Sequence, residues 1–147
     1  MTTIAHRRGI LATDTQITIG TRRMLGSKLQ LVAPFDCFAF AGDCDEEEEF
    51  LHWYKAGSKW EDRIHKLKKV EAIQINKYGD VIWWNGYSHL PIVDDFFAIG
   101  SGEQIAVAFM HLGKTAIEAV GLAGQLDINT NCIVDYYNAK TGKIKRG

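Results

Sequence analysis

Short apolar runs and period-two alternation fill the first forty residues, the pattern of strands. Thr3 to His6 is rich in β-formers, Arg7-Arg8-Gly9 reads as a turn, Ile10 to Thr13 is apolar and Gln16 to Ile19 alternates before Gly20 breaks the run. Leu29 to Ala33 and Cys37 to Ala41 make a second predicted strand pair, joined at Pro34-Phe35-Asp36 and closed by Gly42. Asp43-Cys44-Asp45 and the four glutamates after it open a predicted helix. Aspartate can cap free N–H groups, and acids suit the positive end of the helix dipole. That helix runs to about Ala56, and Gly57-Ser58 stops it. Trp60, Ile64 and Leu67 share one side of a second, short helix.

Val70 to Asn76 and Val81 to Asn85 predict a hairpin around Lys77-Tyr78-Gly79-Asp80. Trp83 and Trp84 then face opposite ways, so at least one belongs to a core. Phe96 to Ile99 reads as a buried strand, and Gly100-Ser101-Gly102 turns the chain. Glu103 to about Leu126 has helical periodicity with a break near Gly113 or Gly121. Thr130 to Tyr137 is a predicted strand, Lys140-Thr141-Gly142 a turn, and Lys143 onward a last strand. Strands, two helices, strands, two helices, strands is the order of an α+β fold, with sheets packed face to face and helices outside. The chain has no internal repeat, linker or low-complexity segment.

Composition narrows the function classes. The 147 residues amount to one domain, 46% hydrophobic and 24% charged, with a net charge of −1. A nucleic-acid binder would carry a basic field, and the one basic cluster, Arg63 to Lys69, reads as the solvated face of a helix. No run approaches the ~20 apolar residues of a membrane span. The opening MTTIAHRRG lacks the apolar centre of an export signal, so a cytoplasmic protein is expected. Cys37, Cys44 and Cys132 have no metal or disulfide spacing and read as reduced thiols. No metal or cofactor is expected. The five histidines form no ligand pattern, and successive glutamates on a helix point around its axis instead of converging.

Two features could carry chemistry. Thr2 follows the initiator methionine, and threonine is small enough for Met1 to be trimmed. The new terminus would bear an amine with a reference pKa of about 7.7–8.0 and a β-hydroxyl on the same residue. A threonine activated by its own amine is a recognised nucleophile. The turn Gly100-Ser101-Gly102, between strand and helix, could hold an anion. It lacks the third glycine of a dinucleotide site and the Gly-Lys-Ser/Thr of a P-loop. There is no Gly-x-Ser-x-Gly elbow.

Four separated segments resemble HslV, the proteolytic half of a bacterial ATP-dependent protease related to proteasome β-subunits. They are Thr2-Thr3-Ile4 with the stretch Ala12 to Gly20 and Met24-x-Gly26; Phe38-Ala39-Phe40-Ala41-Gly42; Phe97 to Gly102; and Ala119-x-x-Leu122-Ala123-Gly124 with Ile128-x-Thr130-Asn131. The resemblance implies a four-layer αββα sandwich of Ntn-hydrolase type and a threonine-type endopeptidase. It makes Thr2 the nucleophile, Asp14 the aspartate of the second strand, and Lys28 the active-site lysine, across a loop about two residues shorter than in HslV. Ser101 becomes the serine near the amine and Gly42 the glycine whose N–H faces the oxyanion. Asp127-x-x-Thr130 is closer to the Asp-x-x-Ser of proteasome β-subunits than to HslV. A monovalent cation near Gly124, Asp127 and Thr130 is the one metal site the resemblance leaves open. The implied partners are a peptide or unfolded protein substrate, identical subunits in stacked rings, and an ATPase unfoldase.

Between Gly42 and Gly100 the chain is shorter than HslV, and the deficit falls in the helical pair that makes ring and ATPase contacts. Two other readings stay open: a catalytically silent scaffold subunit, and an amidohydrolase of the same fold acting on a small amide.

Overall fold

A computed structural model describes residues 2–42, 44–63 and 67–147. Strands β1 (Thr3–Arg7) and β2 (Ile10–Asp14) form a hairpin. Its two turn residues, Arg8 and Gly9, both have positive φ, of 51° and 77°. That turn geometry matches the twist of the strands and fixes their register. β3 (Gln16–Ile19) and β4 (Arg22–Leu25) make a separate two-stranded ribbon. β5 (Leu29–Ala33) and β6 (Asp36–Gly42) lead to helix α1 (Cys44–Lys55). β7 (Val70–Ile75), β8 (Val81–Asn85), β9 (Ser88–Pro91) and β10 (Phe96–Gly100) follow. Helices α2 (Glu103–His111) and α3 (Ala116–Leu126) precede β11 (Val134–Asn138) and β12 (Lys143–Arg146).

Two five-stranded sheets result, in the orders β10-β1-β2-β11-β12 and β5-β6-β7-β8-β9. Their facing sides share a core of Ile4, Leu11, Ile99 and Tyr137 against Leu29, Cys37, Ala39, Ile73 and Ile75. Small residues let α2 and α3 lie close on the outer face of the first sheet: Ala5, Ala12 and Ala98 meet Ala106, Met110, Ala119 and Val120. On the outer face of the second sheet, Phe38, Phe40 and Trp84 pack against Phe50 and Trp53 of α1. The layers therefore run αββα, as expected. Trp84 is buried there, while Trp83 points the other way and meets Phe97 edge-on at 6.3 Å between ring centroids.

The structure corrects the sequence reading in four places and settles one choice that it left open. The second helix of the first pair is reduced, among the described residues, to one 3-10 turn at Trp60–Asp62. Leu67 is buried against Phe50 and Trp53 from an irregular segment, and Ile64 lies outside the described residues. Lys68 and Lys69 are exposed but not helical: Glu46 Oε1 accepts from their N–H groups at 2.7 and 2.9 Å. The long helix breaks at Gly113, whose φ is +96°, whereas Gly121 sits inside α3. A capping box at Thr115 and Glu118 restarts the chain after that break. The last predicted strand pair begins at Val134, because Thr130 and Asn131 are committed to side-chain bonds. β4 and β9 had no predicted counterpart. Every residue in both is exposed, so no buried face patterns them.

Candidate active site

Hairpin register brings the first side chains together. Pairing of Ile4 with Thr13 sets the start of β1 beside Asp14, the last residue of β2. Pairing of Thr3 with Gly100 sets the same end beside the Gly100-Ser101-Gly102 turn. Gly100 has φ +97°, and a Cβ there would lie 1.9 Å from Thr2 O, so only glycine admits this approach. Gly102 is equally close to Thr3, with a built Cβ 2.1 Å from Thr3 Oγ1.

The second sheet supplies the rest. Lys28 precedes β5 and is held by Phe40 N–H donating to its carbonyl at 3.0 Å. Its side chain crosses the sandwich. Lys28 Nζ donates to Asp14 Oδ1 at 2.8 Å and also hydrogen-bonds Thr2 Oγ1. Asp14 is fully buried, and Thr2 and Lys28 are only 5% and 8% exposed. Asp14 further accepts from Thr3 N–H at 3.1 Å through Oδ1 and from Gln16 N–H at 3.2 Å through Oδ2. Burial pulls the Lys28 pKa below the ordinary lysine value, and Asp14 opposes that pull without cancelling it. Gly42, at the end of β6, has φ +109°, and a Cβ there would meet Lys69 O at 1.7 Å.

A polar chain of hydroxyls backs the threonine end. Ser101 Oγ donates to Asp127 Oδ2 at 2.7 Å and lies 3.4 Å from Thr2 O. Thr130 Oγ1 donates to the same Asp127 oxygen at 2.6 Å and meets Thr3 Oγ1 at 2.7 Å. Asn129 N–H donates to Asp127 Oδ1 at 3.3 Å. Burial works against the charged carboxylate, but the bonds from Ser101, Thr130 and Asn129 outweigh it and hold Asp127 below the usual range. Gly124 is packed against Asn131, a built Cβ lying 2.3 Å from Asn131 O. Among the described residues no group of three His, Cys, Asp or Glu could hold a metal.

All six residues singled out from the sequence therefore lie at one end of the sandwich. Thr2, Asp14 and Lys28 form one bonded group; Ser101 and Asp127 form another beside it. Gly42 lines two clefts that meet at Thr2, of about 630 and 390 Å³. Sequence reasoning missed Thr3 as a link. It placed Thr130 in the Asp127-x-x-Thr130 pattern and near a possible cation but not as a bonding partner of Thr3, and it gave no role to Gln16. No spacing could relate Thr3 to Thr130, which lie 127 positions apart.

No protein-family model matches this chain, and no curated protein matches it. Solved structures do. BPH of Thiobacillus denitrificans, in complex with epoxomicin, superposes with a TM-score of 0.67 at 14% identity, over 92% of this chain and 96% of that one. Another structure of the same BPH gives 0.66 at 13%, over 92% and 95%. Eukaryotic HslV from Trypanosoma brucei gives 0.64 at 18%, over 92% and 96%. The fold is that of the HslV and BPH proteasome-type subunits.

Proposed function

We propose that this chain is a threonine-type endopeptidase subunit in which Thr2, exposed as the N-terminal residue by removal of Met1, is the nucleophile. One observation carries the reading: a buried lysine hydrogen-bonds a threonine hydroxyl and a buried carboxylate at once. A surface cation has no reason to cross a sandwich. An arrangement that lowers the cost of a developing alkoxide does.

The steps follow from the chemistry of these groups. Lys28 supplies positive charge where Thr2 Oγ1 becomes an oxyanion, and Asp14 keeps that charge aimed. The same charge favours the neutral form of the Thr2 amine, which takes the hydroxyl proton through a water. Thr2 Oγ1 attacks the peptide carbonyl. The Gly42 N–H stabilises the tetrahedral oxyanion, a contribution of roughly 3 kcal/mol where such donors have been removed. The amine then passes its proton to the leaving nitrogen, and water releases the acyl group from Thr2. Ser101 and Asp127 orient the amine, with Thr130 and Thr3 bracing them. BPH in the structure noted above is in complex with epoxomicin, which makes that compound a ready probe for the Thr2 cleft. The setting proposed for this chemistry is a cytoplasmic homo-oligomer of stacked rings enclosing the clefts.

The test is hydrolysis of a panel of fluorogenic peptides by the chain after intact mass has established loss of Met1. Thr2→Ala should abolish turnover and Thr2→Ser should keep part of it, since hydroxyl and amine both remain. Turnover by Thr2→Ala at the wild-type rate overturns the mechanism. A wild-type chain as inert as the variant points to a silent scaffold. Turnover of small amides alone points to an amidohydrolase.

A further inference from the structure

The two clefts that meet at Thr2 differ in chemistry. The one on the α1 side, of about 390 Å³, is walled by Ile17, Phe40 and Leu51 and carries Glu47 and Glu48. Cys44, Glu47, Glu48 and Leu51 stand at i, i+3, i+4 and i+7 of α1, so a single stripe of that helix faces the cleft. The opposite stripe, with Phe50 and Trp53, anchors α1 to the second sheet and fixes how the first stripe is presented. Glu46 leaves the cleft, because its carboxylate is taken by the Lys68 and Lys69 N–H groups.

Glu47 is half buried. Burial raises its pKa, Glu48 adds to the rise, and a hydrogen bond from Gln30, which also lines the cleft, opposes it. Among the described residues neither Glu47 nor Glu48 forms an ion pair. The cation nearest in the lining, Lys28, is bonded to Asp14 and Thr2 at the mouth of the cleft. The cleft thus joins the nucleophile to three apolar side chains and to two carboxylates that, among the described residues, form no ion pair. Lysine and arginine have that shape in reverse: an apolar stem ending in a charged head.

We propose that this cleft seats a lysine or arginine side chain on the acyl side of the cut bond, so that the enzyme cleaves after basic residues. The inference rests on the peptidase reading and adds the substrate class to it. The side of the bond follows from the proton path. The leaving nitrogen must lie near the amine that protonates it, on the side of Gly100 and Ser101, which line the other cleft. The acyl residue is then left for the α1 side. An acidic side chain would be repelled there. An apolar one would remove water from Glu47 without giving it a counter-charge.

Peptides that share one leaving group and differ only in the acyl-side residue (Arg, Lys, Leu, Phe, Glu) test this by kcat/KM. We expect Arg and Lys to exceed Leu by about tenfold or more, the scale of a charge-assisted hydrogen bond to a partly desolvated acid. Glu47→Gln should collapse the Arg-to-Leu ratio toward one, and Glu47→Lys should invert it in favour of the Glu peptide. Circular dichroism of each variant guards against misfolding. The wild-type ratio is in any case readable without a variant. Faster cleavage after Leu or Phe than after Arg, or an Arg preference untouched in a folded Glu47→Gln, overturns the inference and leaves the peptidase standing. Hydrolysis of none of the five overturns both.

Discussion

Lys28 and Asp14 meet 2.8 Å apart between the two sheets of the sandwich, each almost wholly out of solvent. The pair bears on stability as well as on the proposed chemistry. Removing one partner of a buried pair leaves the other charge without compensation, at about 3–5 kcal/mol. The backbone donors of Thr3 and Gln16 soften that loss for Asp14. We expect Lys28→Ala to lose nearly all activity and also about 3 kcal/mol of stability in urea. A surface lysine would lose neither. The combined Lys28→Met, Asp14→Leu variant should recover part of the stability and none of the activity, which separates folding from chemistry.

The hydroxyl relay gives a graded prediction. Thr130→Val keeps shape but removes a donor to Asp127 and a partner of Thr3. We expect kcat to fall roughly tenfold in Thr130→Val, with KM little changed, since a small displacement of a positioned group is costly. Asp127→Asn should fall further, because the amide carries no charge and keeps only one accepting oxygen for the donors Ser101, Thr130 and Asn129. Equal rates for both variants and wild type would mean that Asp127 only ends helix α3.

His6 predicts a pH dependence of stability unrelated to the active site. It is 6% exposed, and burial lowers its pKa from 6.5 to about 4, with Asp95 pulling weakly the other way. Its Nε2 accepts from Gly9 N–H, and its Nδ1 has no partner among the described residues. The folded pKa lies below the unfolded one, so the unfolded chain takes the proton first. The stabilisation is full above pH 6.5 and drains away as pH falls toward about 4. The total is roughly 3 kcal/mol. Urea unfolding across that range should show the slope, and His6→Phe should flatten it.

Assembly is open to a direct measurement. Ile19, Leu25, Leu126 and Ile128 are exposed on the β3–β4 ribbon, the end of α3 and the segment after it. Those two regions are tied together by Thr15 and Asn131. Trp60 is 73% exposed at the 3-10 turn. Large apolar side chains left in water favour association between copies. We expect light scattering to give a cyclic or dihedral oligomer at micromolar concentration. A monomer would remove the enclosed chamber and favour a small-amide substrate.

The four tryptophans divide between core and surface in a way that periodicity alone does not give. Trp53 and Trp84 meet edge-on at 6.1 Å under α1 and belong to the core, leaving Trp60 as the exposed one. Sequence periodicity says that a tryptophan sits on a face; it does not say which faces find a partner. The glutamate run was similarly legible only in part. Its residues do point around the helix axis, yet which of them face Thr2 depends on how Phe50 and Trp53 seat α1.

What the sequence determined by itself was local. Alternation placed most strands, Arg7-Arg8-Gly9 marked a turn, the break in the long helix was narrowed to Gly113 or Gly121, and the order of elements implied layered sheets. Thr2 stood out by its place after Met1, whereas Asp14, Lys28, Ser101, Gly42 and Asp127 entered the candidate site through the segments that resemble HslV. Only the tertiary structure decided that Lys28 crosses from one sheet to the other and that Thr3 joins Thr130. It also left the second helix of the first pair as a single turn among the described residues. These outcomes depend on contacts between positions far apart in the chain, where packing and burial, not local propensity, choose the conformation.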